Sequence, residues 1–498
     1  MKNLCFLLLT CLITISVPVV QAAVSLPNVL GSNMVLQQER PVPIWGWSDA
    51  GEKITVSFAG QTKTTTAGKD GKWMVKLTSL KASSDPRNLT VKGTNSITLE
   101  NILVGEVWIC SGQSNMEWSI RQSANAKEEI ENANYPQIRL FNVPGHTTAP
   151  LPQEKGKGNW TVCQSNTAQG FSAVGYYFGR RLNKELKVPV GLIGSNWGGT
   201  RIEPWTTLDG FKSVPELEKL VQQVSGYTEK TRVGGRSPSA IYNSMVHPLA
   251  PFAMRGGIWY QGESNGSEHM SYYQKKHALV KGWRKIFQND DLGFYWVQLA
   301  NFRKANVPEI TDPKKEHSNP AGGDGWAKIR EAQTKALDIP HTGMAIAIDL
   351  ADAHNPNDIH PRNKQDVGGR LAQWALHQTY GKKGLVPSGP LYVGHRVEGG
   401  AIRVSFKHVG KGLMVGSKKG LAPTEEVKGG KLQNFAIAGE DKQWHWAEAT
   451  IDGDTVLVKS PKVKKPVAVR YAFTMNPGKA NLYNKEGLAA GPFRTDDW

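Results

Sequence analysis

The sequence predicts an α/β fold, with a doubly wound and largely parallel sheet flanked by N- and C-terminal β-sandwich regions. Between residues 102 and 385, short apolar runs alternate with stretches of helical period, as crossover connections between parallel strands require. Before residue 101 and after residue 386, short strand-like runs recur between turn signals. A chain of 498 residues with 52 Gly and 16 Trp is also long enough for two or three domains rich in strands and loops. The expected organisation is a signal peptide at 1–22, a β-sandwich region at 23–101, an α/β domain at 102–385 and a β region at 386–498.

The N-terminus has the composition of an export signal. Lys2 supplies a positive start, and residues 4–20 form an apolar run softened by Thr10, Thr14, Ser16 and Pro18. Val20-Gln21-Ala22 then offers a small-residue cleavage site, so the mature chain is expected to begin near Ala23, in the periplasm or outside the cell. No basic stop-transfer cluster follows, and no membrane insertion is expected after cleavage. Cys11 is a poor lipid-anchor site, because Leu8-Leu9-Thr10 precedes it and lipidation there would cut the apolar core short. With Cys5 and Cys11 in the signal, only Cys110 and Cys163 remain. That number excludes a disulfide scaffold and a cysteine zinc site. Cys110 lies in an apolar run and reads as a small buried hydrophobe.

The formal charge of +17 raises the question of nucleic acid, but the basic residues are scattered. Lys462, Lys464 and Lys465 are the nearest approach to a cluster, so no nucleic-acid partner is expected. A basic surface bears on solubility and on steering toward anionic partners.

In the first region, Val42-Pro43-Ile44-Trp45-Gly46-Trp47, Lys53-Ile54-Thr55-Val56-Ser57-Phe58 and Lys72-Trp73-Met74-Val75-Lys76-Leu77 read as strands separated by turns such as Lys69-Asp70-Gly71. In the α/β region, strands are expected at 103–110, 138–143, 188–194, 256–261, 294–299 and 344–349. Ser172 is suited to cap a helix carrying Val174, Phe178, Leu182 and Leu186 on one face. Asn363 is suited to cap another, with Asp366 in its first turn and Val367, Leu371, Trp374 and Ala375 at helical spacing. Residues 305–325 read as a long loop near the strand ends. The last region returns to short strands such as Ala401-Ile402-Arg403-Val404-Ser405-Phe406.

In a doubly wound sheet, ligands bind outside the carboxyl ends of the parallel strands. Four such ends carry unusual loops: Gly112-Gln113-Ser114-Asn115, Ser195-Asn196-Trp197-Gly198-Gly199-Thr200, Gln261-Gly262-Glu263-Ser264-Asn265 and Asn357-Asp358-Ile359-His360-Pro361. Their chemistry is complementary. Ser114 is a nucleophile candidate, His360 can take its proton, and Asp358 can orient the imidazole. The backbone N–H groups of Ser114 and Gly199, with a side-chain amide from Gln261 or Asn265, can stabilise charge developing on a carbonyl oxygen. Each loop alone is an ordinary turn; the combination at one sheet edge is what points to shared catalysis.

These blocks resemble those of the SGNH-type hydrolases and, more narrowly, the sialate O-acetylesterase family of carbohydrate esterases. The resemblance extends from Val42-Pro43-Ile44-Trp45-Gly46 through Cys110-Ser111-Gly112-Gln113-Ser114-Asn115-Met116-Glu117-Trp118 and Asn196-Trp197-Gly198-Gly199-Thr200-Arg201-Ile202-Glu203. It continues through Trp259-Tyr260-Gln261-Gly262-Glu263-Ser264-Asn265 and Asp358-Ile359-His360-Pro361-Arg362-Asn363-Lys364 to Asn481-Leu482-Tyr483-Asn484-Lys485-Glu486-Gly487-Leu488. It implies an SGNH or flavodoxin-like three-layer sheet and a metal-free, cofactor-free serine mechanism that removes O-acetyl groups from sugars. On that basis Ser114 is the nucleophile and His360 the general base, with Gly199 and the 261–265 loop in the oxyanion hole. The chain departs from the wider superfamily at the acid: the position three before the histidine is Asn357. Asp358 is therefore the expected acid, with Asp352 in reserve and a Ser–His dyad as the alternative.

O-acetylated sialic acid and acetylated plant polymers such as xylan or xyloglucan are both substrates compatible with the resemblance. Arg201, Arg255, Arg303 and Arg362 are candidates for a sialate carboxylate, and Trp118, Trp197 and Trp259 for stacking on sugar rings. An exported glycan-binding protein without turnover is the competing reading from another class, and a serine peptidase is a third.

Overall fold

The computed structural model describes residues 23–352 and 355–498, so the expected signal peptide lies outside the described residues. The N-terminal region is built from β1 (Val35–Gln37), β2 (Val42–Trp47), β3 (Lys53–Phe58), β4 (Gln61–Thr66), β5 (Lys72–Leu77) and β6 (Ser83–Lys92). β2 pairs antiparallel with β5, and β3 pairs antiparallel with both β4 and β6. The two-residue period read from the sequence governs burial here. Along β5, Trp73, Val75 and Leu77 are buried while Lys72, Met74 and Lys76 are exposed.

β7 (Ser96–Gly112) joins this region to the next without a break. Its first half pairs antiparallel with β6, and its second half is the centre of the parallel sheet. The strand thus runs straight across the expected junction near residue 102. Its composition explains the double role: after Asn101 every residue to Gly112 is buried, the pattern of a strand covered on both faces.

The remaining strands of the sheet are β8 (Asn134–Asn142), β9 (Trp160–Gln164), β10 (Val190–Asn196), β11 (Gly256–Tyr260), β12 (Gly293–Gln298) and β13 (Thr342–Ile346). Their order is β13-β12-β11-β7-β10-β8-β9, parallel throughout except at the β9 edge. All six expected parallel strands are present, with ends shifted by a few residues. The antiparallel edge strand β9 was not expected, because its five residues are too short to announce themselves against the Pro, Gly and Lys residues before them.

Five helices matter for the site: α1 (Ser114–Glu117), α2 (Ala173–Leu186), α3 (Met270–Ile286), α4 (Gly325–Lys335) and α5 (Lys364–Gln378). The caps read from the sequence form: Ser172 Oγ accepts the Gly175 N–H at 3.1 Å, and Asn363 Oδ1 accepts the Asp366 N–H at 3.0 Å. Helices cover both faces of the sheet. Phe178 of α2 meets Trp108 edge-on, with ring centroids 5.0 Å apart. Trp259, paired with Ser111 and so on the face opposite Trp108, meets Trp283 of α3 edge-on at 6.1 Å.

The C-terminal region is antiparallel. One sheet contains Leu391–Glu398, Ala401–Lys407, Thr455–Lys459 and Glu448–Asp452; another contains Trp444–Trp446, Phe435–Gly439, Pro466–Tyr471 and Phe493–Arg494. It is fastened to the end of β12 by the fully buried guanidinium of Arg330, which donates to the carbonyls of Leu299, Ala300, Thr474 and Met475. The stretch at 305–325 contains a short parallel pairing of Ala305–Asn306 with Glu316–His317, and Asn306 is hydrogen bonded to Asn476 and Asn434. Cys110 and Cys163 are both buried and free. No helix among the described residues is long and apolar enough to cross a membrane.

The three central strands end level. Gly112 pairs with Asn196 on one side and Tyr260 on the other. Gly112 has φ +139°, and a Cβ there would lie 2.1 Å from the Tyr260 carbonyl oxygen. Gly112→Ala is therefore expected to cost about 2 kcal/mol or more of stability, read as a lower unfolding midpoint in denaturant.

Candidate active site

Ser114 opens α1 immediately beyond the end of β7. The Gln113 N–H donates to the Tyr260 carbonyl at 2.9 Å, and the Trp197 N–H donates to the Gly112 carbonyl at 3.0 Å, which locks the three strand-end loops together. Ser114 Oγ lies 2.9 Å from His360 Nε2, a contact between residues 246 positions apart. Asp358 Oδ1 lies 3.3 Å from His360 Nδ1 and accepts the His360 backbone N–H at 2.9 Å. Trp118 stacks on the imidazole, with centroids 4.5 Å apart and planes inclined by 15°. The tertiary structure thus brings Ser114, His360 and Asp358 together. The reserve acid, Asp352, lines a separate cavity with Asp349, Lys418 and Tyr483.

Burial holds the His360 pKa below the usual 6.5. The positive charge of Lys364 lowers it further, and Asp358 acts in the opposite direction. Lys364 itself is fully buried at the start of α5. Its Nζ donates to Asn115 Oδ1 at 2.5 Å and lies over the rings of Trp118 and Tyr260. Burial pulls this lysine down to about 7, against the opposing attraction of Glu263 and Asp358. The Asn115 amide donates in turn to Glu263 Oε1 at 2.6 Å and to the Ile359 carbonyl at 3.1 Å. Burial raises the pKa of Glu263, whose second carboxylate oxygen is buried without a partner among the described residues. Asn115 therefore ties the Ser114 turn to the histidine loop. Its position next to Ser114, and that of Lys364 within the His360 block, are the only sequence signals for this layer.

The glycine loop after β10 lies directly on Ser114. A Cβ on Gly198 would stand 3.2 Å from Ser114 Cβ. The Gly198 N–H is taken by Glu117 Oε2 at 2.7 Å, whereas the backbone N–H groups of Gly199 and Ser114 have no protein acceptor among the described residues. Gly199 has φ +73° with open space where a Cβ would go, a conformation glycine adopts freely.

Gln261 and Asn265 correct an expectation. Both are fully buried, and their amides point into the protein. Gln261 Nε2 lies 2.7 Å from Asn265 Oδ1 and 3.2 Å from both Gln113 Oε1 and the Thr200 carbonyl. Asn265 Nδ2 donates to Glu203 and Glu268, each at 3.2 Å, and its Oδ1 accepts the Ile202 N–H at 3.1 Å. These amides buttress the loops and leave no N–H for a reacting carbonyl. The physical reason is composition: the loop after β11 packs on Glu203, Glu268 and Lys275, and this buried ionic cluster needs amide partners. The neighbouring Ser264 backbone N–H is likewise engaged, by Gln113 Oε1 at 3.2 Å.

The aromatic and arginine candidates divide similarly. Trp259 is fully buried in the core, while Trp118 and Trp197 are half-buried beside Ser114 and Gly198. Arg201 is paired with Glu203 and Glu268. Arg255 is paired with Glu106 and Glu39 at the amino end of the parallel stretch of β7, away from the site. Arg303 and Arg362 are exposed.

A serine held by an imidazole at the carboxyl edge of such a sheet defines a class: it can transfer an acyl group from an ester. Comparison with known proteins gives the class its family. Residues 104–377 match the family model described as "Carbohydrate esterase, sialic acid-specific acetylesterase". Sialate O-acetylesterase of Homo sapiens is 33% identical over 396 residues, covering 73% of this chain and 72% of the human protein. That of Rattus norvegicus is 32% identical over 423 residues, covering 72% and 74%. The crystal structure of XAC1771, described as a novel carbohydrate acetylesterase from Xanthomonas citri, superposes with a TM-score of 0.82 at 37% identity, covering 96% of this chain and all of the other. The chain is a carboxylic-ester hydrolase and belongs to the sialic acid-specific acetylesterase family of carbohydrate esterases.

The packing of Asn265 yields a discriminating expectation. Asn265→Ala strands several buried polar groups and is expected to cost about 1–3 kcal/mol of stability per unsatisfied group, read as a lower unfolding midpoint. Turnover per folded molecule is expected to fall less than the roughly 100- to 1,000-fold that loss of a direct oxyanion donor causes.

Proposed function

We propose that this protein removes O-acetyl groups from sialic acids or other sugars through an acyl-enzyme formed on Ser114. The observation that carries this reading is the 2.9 Å contact between Ser114 Oγ and His360 Nε2 at the level ends of three parallel strands. The helix-covered, mostly parallel sheet is read as an SGNH-type three-layer catalytic domain at 102–385, between β-sandwich regions at 23–101 and 386–498. The expected signal region supports export to the periplasm or beyond.

In the proposed reaction, His360 Nε2 takes the Ser114 proton while Oγ attacks the acetyl carbonyl. Asp358 holds the imidazole and stabilises its charged form. The N–H groups of Ser114 and Gly199 receive the developing oxyanion. Collapse of the tetrahedral intermediate breaks the bond to the sugar oxygen, and His360 returns the proton to that oxygen. Water, activated by the same imidazole, then releases acetate and restores Ser114.

For the sugar itself, the committed salt bridges of Arg201 and Arg255 leave Arg303 and Arg362 as the candidates for a sialate carboxylate. Half-buried Trp118 and Trp197 are suited to stack on a sugar ring whether or not it carries an acid. Acetate release from O-acetylated sialoglycan, set against acetylated xylan and xyloglucan, decides between the substrate classes. Faster release from the plant polymers assigns the enzyme to them with the mechanism unchanged.

Ser114→Ala is expected to lower turnover of a chromogenic acetyl ester at least about 1,000-fold. Undiminished hydrolysis by this variant overturns the nucleophile assignment, and absence of hydrolysis by the wild type favours a glycan-binding protein. The pH profile carries a sign as well. His360 must be neutral to accept the proton, so its depressed pKa keeps kcat/KM high below pH 6.5 and lets it fall only as pH drops through that lowered value. Lys364, pulled down to about 7, gains its charge as pH falls through this window. Lys364→Met is thus expected to shift the acid limb to higher pH.

A further inference from the structure

The mechanism above assigns no part to Glu117, yet this carboxylate joins three elements around the nucleophile. It sits one helical turn beyond Ser114 at the end of α1. Its Oε2 accepts the Gly198 N–H at 2.7 Å, and its Oε1 lies 2.7 Å from Nε2 of His146, on the loop after β8. The His146 ring is stacked flat on Trp197, with centroids 4.8 Å apart and planes inclined by 6°. Trp197 immediately precedes Gly198, so the carboxylate and the imidazole grip the glycine loop at two adjacent residues.

We infer that Glu117 is a positioning residue for the oxyanion hole, the strap that holds the 197–199 loop against the Ser114 turn. The loop requires one. Gly198 and Gly199 carry no side chains to pack, and Gly199 has open space where a Cβ would go. The loop's other hydrogen bonds lie at the two ends: the Trp197 N–H donates to the Gly112 carbonyl, while Thr200 donates its hydroxyl to the Trp197 carbonyl at 2.7 Å and accepts from Gln261 Nε2 and Trp205 Nε1. Among the described residues, the Gly198 N–H is the point at which the peptide beside Gly199 is held by a side chain of the Ser114 helix. With that N–H taken by Glu117, the adjacent Gly199 N–H is the one left for substrate. Loss of the strap frees the donor to wander and weakens an interaction made chiefly in the transition state, so kcat falls while KM changes little.

This inference rests on the serine esterase reading, and the experiment separates the two. Kinetics with a chromogenic acetyl ester are measured for wild type, Glu117→Gln, Glu117→Asp, Glu117→Ala, His146→Ala and Ser114→Ala, alongside each variant's thermal midpoint. Gln keeps an acceptor oxygen at the same reach and is expected to stay within about threefold of wild-type kcat. Asp keeps the charge but draws the acceptor back by one carbon. Asp and Ala are each expected to lose about tenfold or more in kcat, with KM within about threefold. His146→Ala leaves the Gly198 bond intact and is expected to lose less than Glu117→Asp. Should Glu117→Ala fail to fold, the contrast between Gln and Asp carries the test alone. Equal kcat for Gln and Asp in folded proteins, or a loss appearing only in KM, overturns the strap. If Ser114→Ala abolishes hydrolysis while the Glu117 series is flat, the strap alone falls; if Ser114→Ala remains active, the nucleophile assignment itself has failed.

Discussion

The site depends on a close approach of backbones. β7, β10 and β11 end in register because Gly112, in a conformation that side-chain-bearing residues rarely adopt, lets the Tyr260 carbonyl come within a distance no Cβ would permit. From that level edge three loops depart in contact. The Gln113 and Trp197 amides bridge them, and Gly198 lies against Ser114. The meeting of the Ser114 turn at the end of one strand with the glycine loop of the next is a consequence of this register.

Beneath the edge lies a buried polar layer that makes the arrangement specific. Lys364, Asn115 and Glu263 form one chain of hydrogen bonds under Ser114 and His360; Gln261, Asn265, Glu203, Glu268 and Lys275 form a second under the glycine loop. Buried charges are costly to leave unpaired, so each group restricts where its partners can stand. The other end of the sheet repeats the principle. There Glu106, fully buried, accepts from Gln37, Gln38, Arg255 and Tyr380, joining the N-terminal region to the strand it shares with the parallel sheet.

Much of this was legible in the chain. Strands were visible as apolar runs because a sheet covered on both faces demands them, and helix starts were visible at Ser172 and Asn363 because their side chains satisfy orphan amides. Ser114, Gly199 and His360 stood out because small residues and an imidazole at strand ends are chemically unusual. Less legible were residues whose roles come from their partners. Glu117 and Lys364 look like ordinary charges in the sequence, and His146 lies in a loop with no motif around it. Gln261 and Asn265 looked like free amides because the ionic cluster that occupies them is assembled from distant segments.

The sequence by itself determined the periodicities, the turn residues and the set of reactive groups at the strand ends, because these are local properties of side chains and backbone. Strand order was decided only by the fold, and with it the 246-residue span across which His360 meets Ser114. The fold also decided which amides face inward and, among the described residues, which N–H groups have no protein acceptor. Those outcomes belong to the tertiary structure because burial, pairing and hydrogen-bond competition are settled among groups far apart in the chain.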